Sequence, residues 1–193
     1  MGKSYDAIDG RLRTWVEAQH VFFVATAPLS ADGHVNVSPR RLRDTFRVVD
    51  DHTVAWLDLT GSGAETIAHL RENGRIVVMF CAFEGPPKIV RLHGRGRVVT
   101  PGDDGWDTVS AGFGAHPAVR AVIVVDVSRI TDSCGFAVPT LTFTAERDLL
   151  DQNHERKGEE FLVGYRATKN AVSIDGLPAL APVSPDETVV SHS

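Results

Sequence analysis

The residues best suited to grip an anion are Thr60, Gly61, Ser62 and Gly63, which join the apolar run Val54–Leu59 to a segment of helical spacing. Glycines let a backbone come close to a ligand, and the hydroxyls at 60 and 62 can donate. The first amides of a helix lack intrahelical partners, so a phosphate would be at home there. The plainer alternative is an ordinary strand-to-helix turn, in which Ser62 caps the helix and Glu65 reaches back as in a capping box. Arg40, Arg41, Arg43 and Arg47 fall within eight residues just upstream. Guanidiniums pair bidentately with phosphate, so some of these four are candidates to neutralise an anion on the turn; the bland reading is a solvated basic face.

Other chemistries find less support. Gly61-Ser62-Gly63 opens like a dinucleotide fingerprint, yet Thr66 stands where its third glycine belongs and no alternating βαβ series follows. A Walker A lysine is absent as well. The eight histidines are scattered without an i, i+4 pair, so no metal site is expected. Cys81 and Cys134 are expected to be reduced, buried and inert, and Trp15, Trp56 and Trp106 to be core or interface aromatics. No side chain is assigned a catalytic role. His154, Tyr165, Lys169 and Asn170 are candidates to line a pocket, against the favoured reading of their segment as a solvated helix and loop.

The elements that must position the turn follow from periodicity. Ile8, Leu12, Trp15 and Val16 predict an amphipathic helix over 6–17, and strands are expected at 20–26, 34–38, 45–49 and 53–59. Ser62 to Asn73-Gly74 predicts a helix of about three turns. An apolar strand at 75–83 and a second at 88–99 form a hairpin, with Arg91, His93, Arg95 and Arg97 on one face. Helix and loop around Trp106 and Phe113, a long strand at 118–130 and a helix at 144–156 complete the set. Many antiparallel strands with few helices point to a mainly β or α+β class and a closed or partly closed barrel, because closure removes exposed edges.

With 42% hydrophobic and 23% charged residues in 193, the chain reads as one domain over 1–180. Its core is expected at about 15–130, followed by a helical extension over 131–180 and a mobile tail over 181–193. The net charge of −5 does not favour nucleic acid, no run is long enough to span a bilayer, and a cytoplasmic location follows by default.

Four blocks in order, Val37–Arg40, Trp56–Gly63, Ile67–Arg75 and Lys88–Gly94, together resemble the pyridoxamine 5'-phosphate oxidase-like family of FMN-binding split barrels, in particular short bacterial members of unassigned substrate. The resemblance covers roughly residues 15–130. It implies a homodimer with FMN at the subunit interface, the phosphate near the strand-turn-helix corner and the isoalloxazine ring in a groove between barrels. Carried onto this chain, Arg40, Thr60, Ser62 and Thr66 would hold the phosphate, with Gly61 and Gly63 allowing close approach. Lys88 looks like a position facing the ring from the partner subunit, and Arg47 resembles the basic strand position used for flavin contact. Where the oxidases carry an Arg-Lys pair, this chain reads Ala64-Glu65-Thr66, and its C-terminal third lacks their pyridoxal-phosphate-binding end, so vitamin B6 oxidation is not expected. The resemblance implies an FMN-dependent oxidoreductase acting on a small molecule of unknown identity. The alternatives are an F420-binding reductase on the same fold and a non-catalytic flavin- or haem-binding module.

Overall fold

The computed structural model describes residues 2–41 and 43–180; the expected tail at 181–193 lies outside them. Eight strands and four helices run in the order β1 (Ser4–Tyr5), α1 (Gly10–Glu17), β2 (Val21–Thr26), β3 (Asn36–Arg41), β4 (Phe46–Asp50), β5 (Thr53–Leu59), α2 (Glu65–Asn73), β6 (Arg75–Cys81), β7 (Ile89–Val99), α3 (Trp106–Ser110), β8 (Val119–Ser133) and α4 (Leu149–Lys169). The sheet is antiparallel in the order β3-β2-β6-β7-β8-β5-β4, with β1 pairing to the far end of β8. Seven strands laid flat would separate the edge strands by about 29 Å, yet the chain from Arg41 to Phe46 reaches at most roughly 18 Å. The sheet must therefore curl, and it forms a split β-barrel.

Alternation decides what faces inward. Phe22 and Val24 of β2, Val54 and Trp56 of β5, and Ile123 and Val125 of β8 fill the interior, with α1 adding Leu12 and Val16. A second apolar layer of Ala55, Leu57, Val122 and Val124 lies on the opposite sheet face beneath Trp106, Val109 and Phe113. Gly74, at φ +70°, ends α2 in the left-handed region that glycine adopts without penalty. Gly96 lets α2 lie close on β7, because a Cβ there would stand 2.8 Å from a Leu70 methyl.

Three sequence expectations are corrected. Ser62 does not cap α2: the N-cap is Ala64, without a side-chain bond, because the chain runs two residues further before turning helical. The last helix starts at Leu149 and runs to Lys169, with a break at Gly158 (φ 75°), instead of spanning 144–156. Cys134 is exposed while Cys81 is buried, and both are free thiols.

Candidate functional site

The turn after β5 is built from behind. Asp58 ends the inward-facing row of β5 and is fully buried. Opposite it, the register of β8 slips between Ala121 and Val119, and the unpaired residue is Arg120. Such a bulge re-aims a side chain. Here Arg120 donates through Nε to Asp58 (2.8 Å), through Nη1 to the Gly61 carbonyl (3.2 Å) and through Nη2 to the Gly63 carbonyl (2.6 Å). Asn170 adds Nδ2 to the Gly61 carbonyl at 2.8 Å. With these carbonyls held by buried donors, the turn is fixed by the body of the protein instead of by a helix cap.

Arg40 reaches the same carboxylate from β3, with Nη1 2.9 Å from Asp58 Oδ1. Thr60 donates its hydroxyl to the Ala118 carbonyl (2.9 Å) and accepts from Arg166 Nε (2.8 Å), so its bonding capacity serves the fold. Thr66 is buried and accepts from Asn36 Nδ2 at 3.1 Å. Ser62 and Gly63 are exposed. Neither Gly61 nor Gly63 has a positive φ. The amides of Glu65, Thr66 and Ile67 open α2 with no intrahelical acceptor and no cap. Two guanidiniums, Arg40 and Arg120, thus share one buried carboxylate beside an uncapped helix start, while Arg166, behind Thr60, pairs with Glu159 at 3.5 Å; an arrangement with one guanidinium in excess suits a phosphate. Glu65 opposes it: its Oε1 accepts from the Ile174 amide (3.3 Å), and its Oε2 lies 2.9 Å from where a Cβ on Gly63 would be.

Arg47 and Lys88 lie elsewhere. Arg47 pairs with Ala55 on the outer sheet face, its guanidinium 5.8 Å from the Phe113 ring centre. Lys88 sits at the Ser133 end of β8, its ammonium 5.2 Å from the Tyr5 ring and 5.0 Å from the Trp15 ring, whereas Thr60 binds Ala118 just before the other end. Across the curled sheet the two are nearer than along β8: Arg40 pairs with Phe22, Phe22 with Phe80 and Phe80 with Val90, three strand spacings or roughly 15 Å from Arg40 to Val90.

The C-terminal segment is not a solvated appendage. His154 and Asn170 are buried, Arg166 bonds Thr60, and Asp151 bridges Arg41 (2.9 Å) and His116 (3.0 Å). Burial would raise the Asp151 carboxyl, but the bonds from Arg41 and His116 outweigh it and hold the group below its ordinary range. Burial pushes His154 down, helped by the nearby His116, and also lowers Arg166. His69 of α2, fully buried with Nδ1 3.0 Å from the Thr26 hydroxyl, is likewise lowered by burial.

Asp58, Arg120 and Arg166 are not among the residues singled out from the sequence, whereas Asn170 is. Asp58 and Arg120 had a signal, each being a charge inside an otherwise apolar strand run, where burial demands a partner. Arg166 had none. No helix among the described residues is long and apolar enough to cross a membrane. Among them, too, no group of three or more His, Cys, Asp or Glu could hold a metal.

Comparison with known proteins adds the following. A family model described as pyridoxamine 5'-phosphate oxidase matches residues 8–134. The chain is 39% identical over 192 residues to the pyridoxamine 5'-phosphate oxidase family protein ustO of Aspergillus flavus, covering 91% of this chain and 77% of that one. HupZ of Group A Streptococcus superposes with a TM-score of 0.50 at 22% identity, over 70% of this chain and 99% of HupZ. A variant of HupZ gives the same TM-score at 24% identity, over 65% and 99%. These structures share the fold.

Proposed function

The chain belongs to the pyridoxamine 5'-phosphate oxidase family, and from that membership we propose that it is an FMN-dependent oxidoreductase of a small molecule. The observation that carries the reading is the corner itself, where Arg40 and Arg120 share the buried carboxylate of Asp58 next to the uncapped start of α2. Buried charge is costly unless paired, so a surplus of guanidinium there favours an anion. Bound FMN would supply the hydride chemistry. Arg40 and the Ser62 hydroxyl would meet the phosphate from the open side, while Arg120 and Asn170 keep the carbonyls of the turn engaged and Thr60, locked by Arg166, fixes the end of β5.

The functional unit in this reading is a homodimer. Lys88, stacked on Tyr5 and Trp15, would face the ring from a second copy of the chain. An apolar patch for such a contact flanks the His34–Asp175 pair (2.6 Å): Val35 and Val37 on the edge strand side, Val172 and Ile174 on the C-terminal turn, all exposed.

The test is titration of the purified chain with FMN and with riboflavin, which lacks the phosphate. FMN should bind at least tenfold more tightly, and Arg40→Ala should erase most of that difference while leaving riboflavin unchanged, since a charge-assisted bond is worth about 1.5–3 kcal/mol. Equal affinities for the two ligands would remove the phosphate from the corner. Binding of F420 or haem in place of FMN would move the cofactor assignment to that group.

A further inference from the structure

A cavity of about 990 Å³ opens between the end of α1, the start of β2, the end of β3 and the hairpin loop at Phe83–Pro86, under a roof formed by residues 141–147. That is the size of a small-molecule site. Aromatic residues line it: Trp15, His20, Phe83 and Phe143. The roof has no regular secondary structure and is tied to the hairpin by the Leu141 amide on the Phe83 carbonyl (3.0 Å) and the Phe143 amide on Glu84 Oε1 (3.2 Å). Phe143 lies flat on the His20 ring, with centres 3.7 Å apart and planes inclined by 7°.

The polar lining is more specific than the apolar part. Arg40 and Arg41 both border the cavity, and their outer nitrogens are held by Asp58 and Asp151. Both side chains are about three-quarters buried at the cavity rim, where a charge-assisted bond to an acceptor oxygen is stronger than in water. Aromatic side chains select a planar ring.

We propose that this cavity binds a planar aromatic compound bearing an acceptor oxygen, a carboxylate or ring carbonyl, which docks against Arg41 with its ring between Trp15, Phe83 and Phe143. As a binding site this stands apart from the flavin reading; as the substrate site of a flavin enzyme it rests on it.

Two soluble probes of one ring system test it: naphthalene carboxylate, an acceptor, and naphthylmethylammonium, a donor, titrated into the full chain by calorimetry. The carboxylate should bind at least about tenfold more tightly, Arg41→Met should collapse that ratio, and Ala145→Trp, which fills the roof side, should abolish binding with the melting temperature retained. Equal binding of the two probes, or undiminished binding to the Ala145→Trp protein, overturns the proposal. Repeating the titration with FMN present separates this proposal from the flavin reading. Unchanged carboxylate affinity supports a separate site; competition assigns the cavity to the cofactor and overturns the proposal. A protein that binds the carboxylate but not FMN would refute the flavin reading alone.

Discussion

The two ends of β8 carry the same kind of chemistry in opposite surroundings. At its start Arg120 and Arg40 close on Asp58, which is fully buried. At its other end Asp132 accepts from the Tyr5 hydroxyl (2.5 Å) and the Lys3 amide (2.7 Å), with Lys88 over the Tyr5 ring, in a site open to water. One aspartate is hidden within the barrel wall and the other is hydrated, so the same ion-pair vocabulary has different energetic weight. A cluster's residue types say little about its role until burial is known.

That contrast predicts the largest effect. Asp58→Ala leaves Arg120 buried beside an unpaired Arg40 and should destabilise the fold by about 3–5 kcal/mol in denaturant unfolding. Asp132→Ala should cost about 1 kcal/mol or less. Similar losses at the two positions would break the comparison.

Acid should divide the ends as well. His69 and His154 are held below their ordinary values by burial, so the unfolded chain takes up protons first as pH falls below about 6.5. Their contribution to stability is present above that pH and is lost as pH drops toward the lowered folded values. At the open end, Tyr5 is pushed up to about 12, chiefly by its bond to Asp132. Its contribution is complete below about 10 and disappears as pH rises toward 12. The melting temperature should therefore fall from pH 7.5 to pH 5.5. Replacing His69 and His154 together by Gln should flatten that slope, whereas Tyr5→Phe should leave it unchanged; an unchanged slope in the double variant would refute the assignment.

How much of this was legible depends on whether a signal is local. The strands and the end of α2 at Asn73-Gly74 could be read from alternation and a left-handed glycine, both properties of short stretches. The start of α2 could not: Ser62 and Glu65 satisfy the spacing of a capping box, but Glu65 is instead held by Ile174, more than a hundred residues away. Periodicity does not give the helix at 149–169, because Gly158 interrupts its spacing and its buried groups, His154 among them, are covered by packing against the barrel. Arg40, Thr60, Gly61, Ser62, Gly63 and Thr66 do share one corner, although Thr60 and Thr66 are already committed to the fold.

Glu65 gives a smaller and opposite effect at the buried end. Its carboxylate lies at the helix start, where it favours the helix and disfavours any anion. Glu65→Gln should tighten FMN roughly two- to fivefold, equivalent to about 0.5–1 kcal/mol, with riboflavin unaffected. Equal gains for both ligands would mean that the residue acts on the fold and not on the phosphate.

The smallest effect on stability belongs to Lys88, and it says most about assembly. Stacked on Tyr5 and Trp15 near the surface, its ammonium should contribute about 0.5–1 kcal/mol, so Lys88→Met should barely lower the unfolding midpoint. If the open end of one chain completes the buried corner of another, the same change should still weaken FMN binding. Mixing then discriminates. An Arg40→Ala chain and a Lys88→Met chain, each defective alone, form a heterodimer in which one site carries both substitutions and the other carries neither. Co-refolded protein should therefore recover up to half a tight site per heterodimer chain, read by flavin fluorescence quenching. Recovery requires the two ends to meet across an interface. Its absence, with dimers confirmed by light scattering, would leave Lys88 a local aromatic contact and confine the flavin to residues of a single chain.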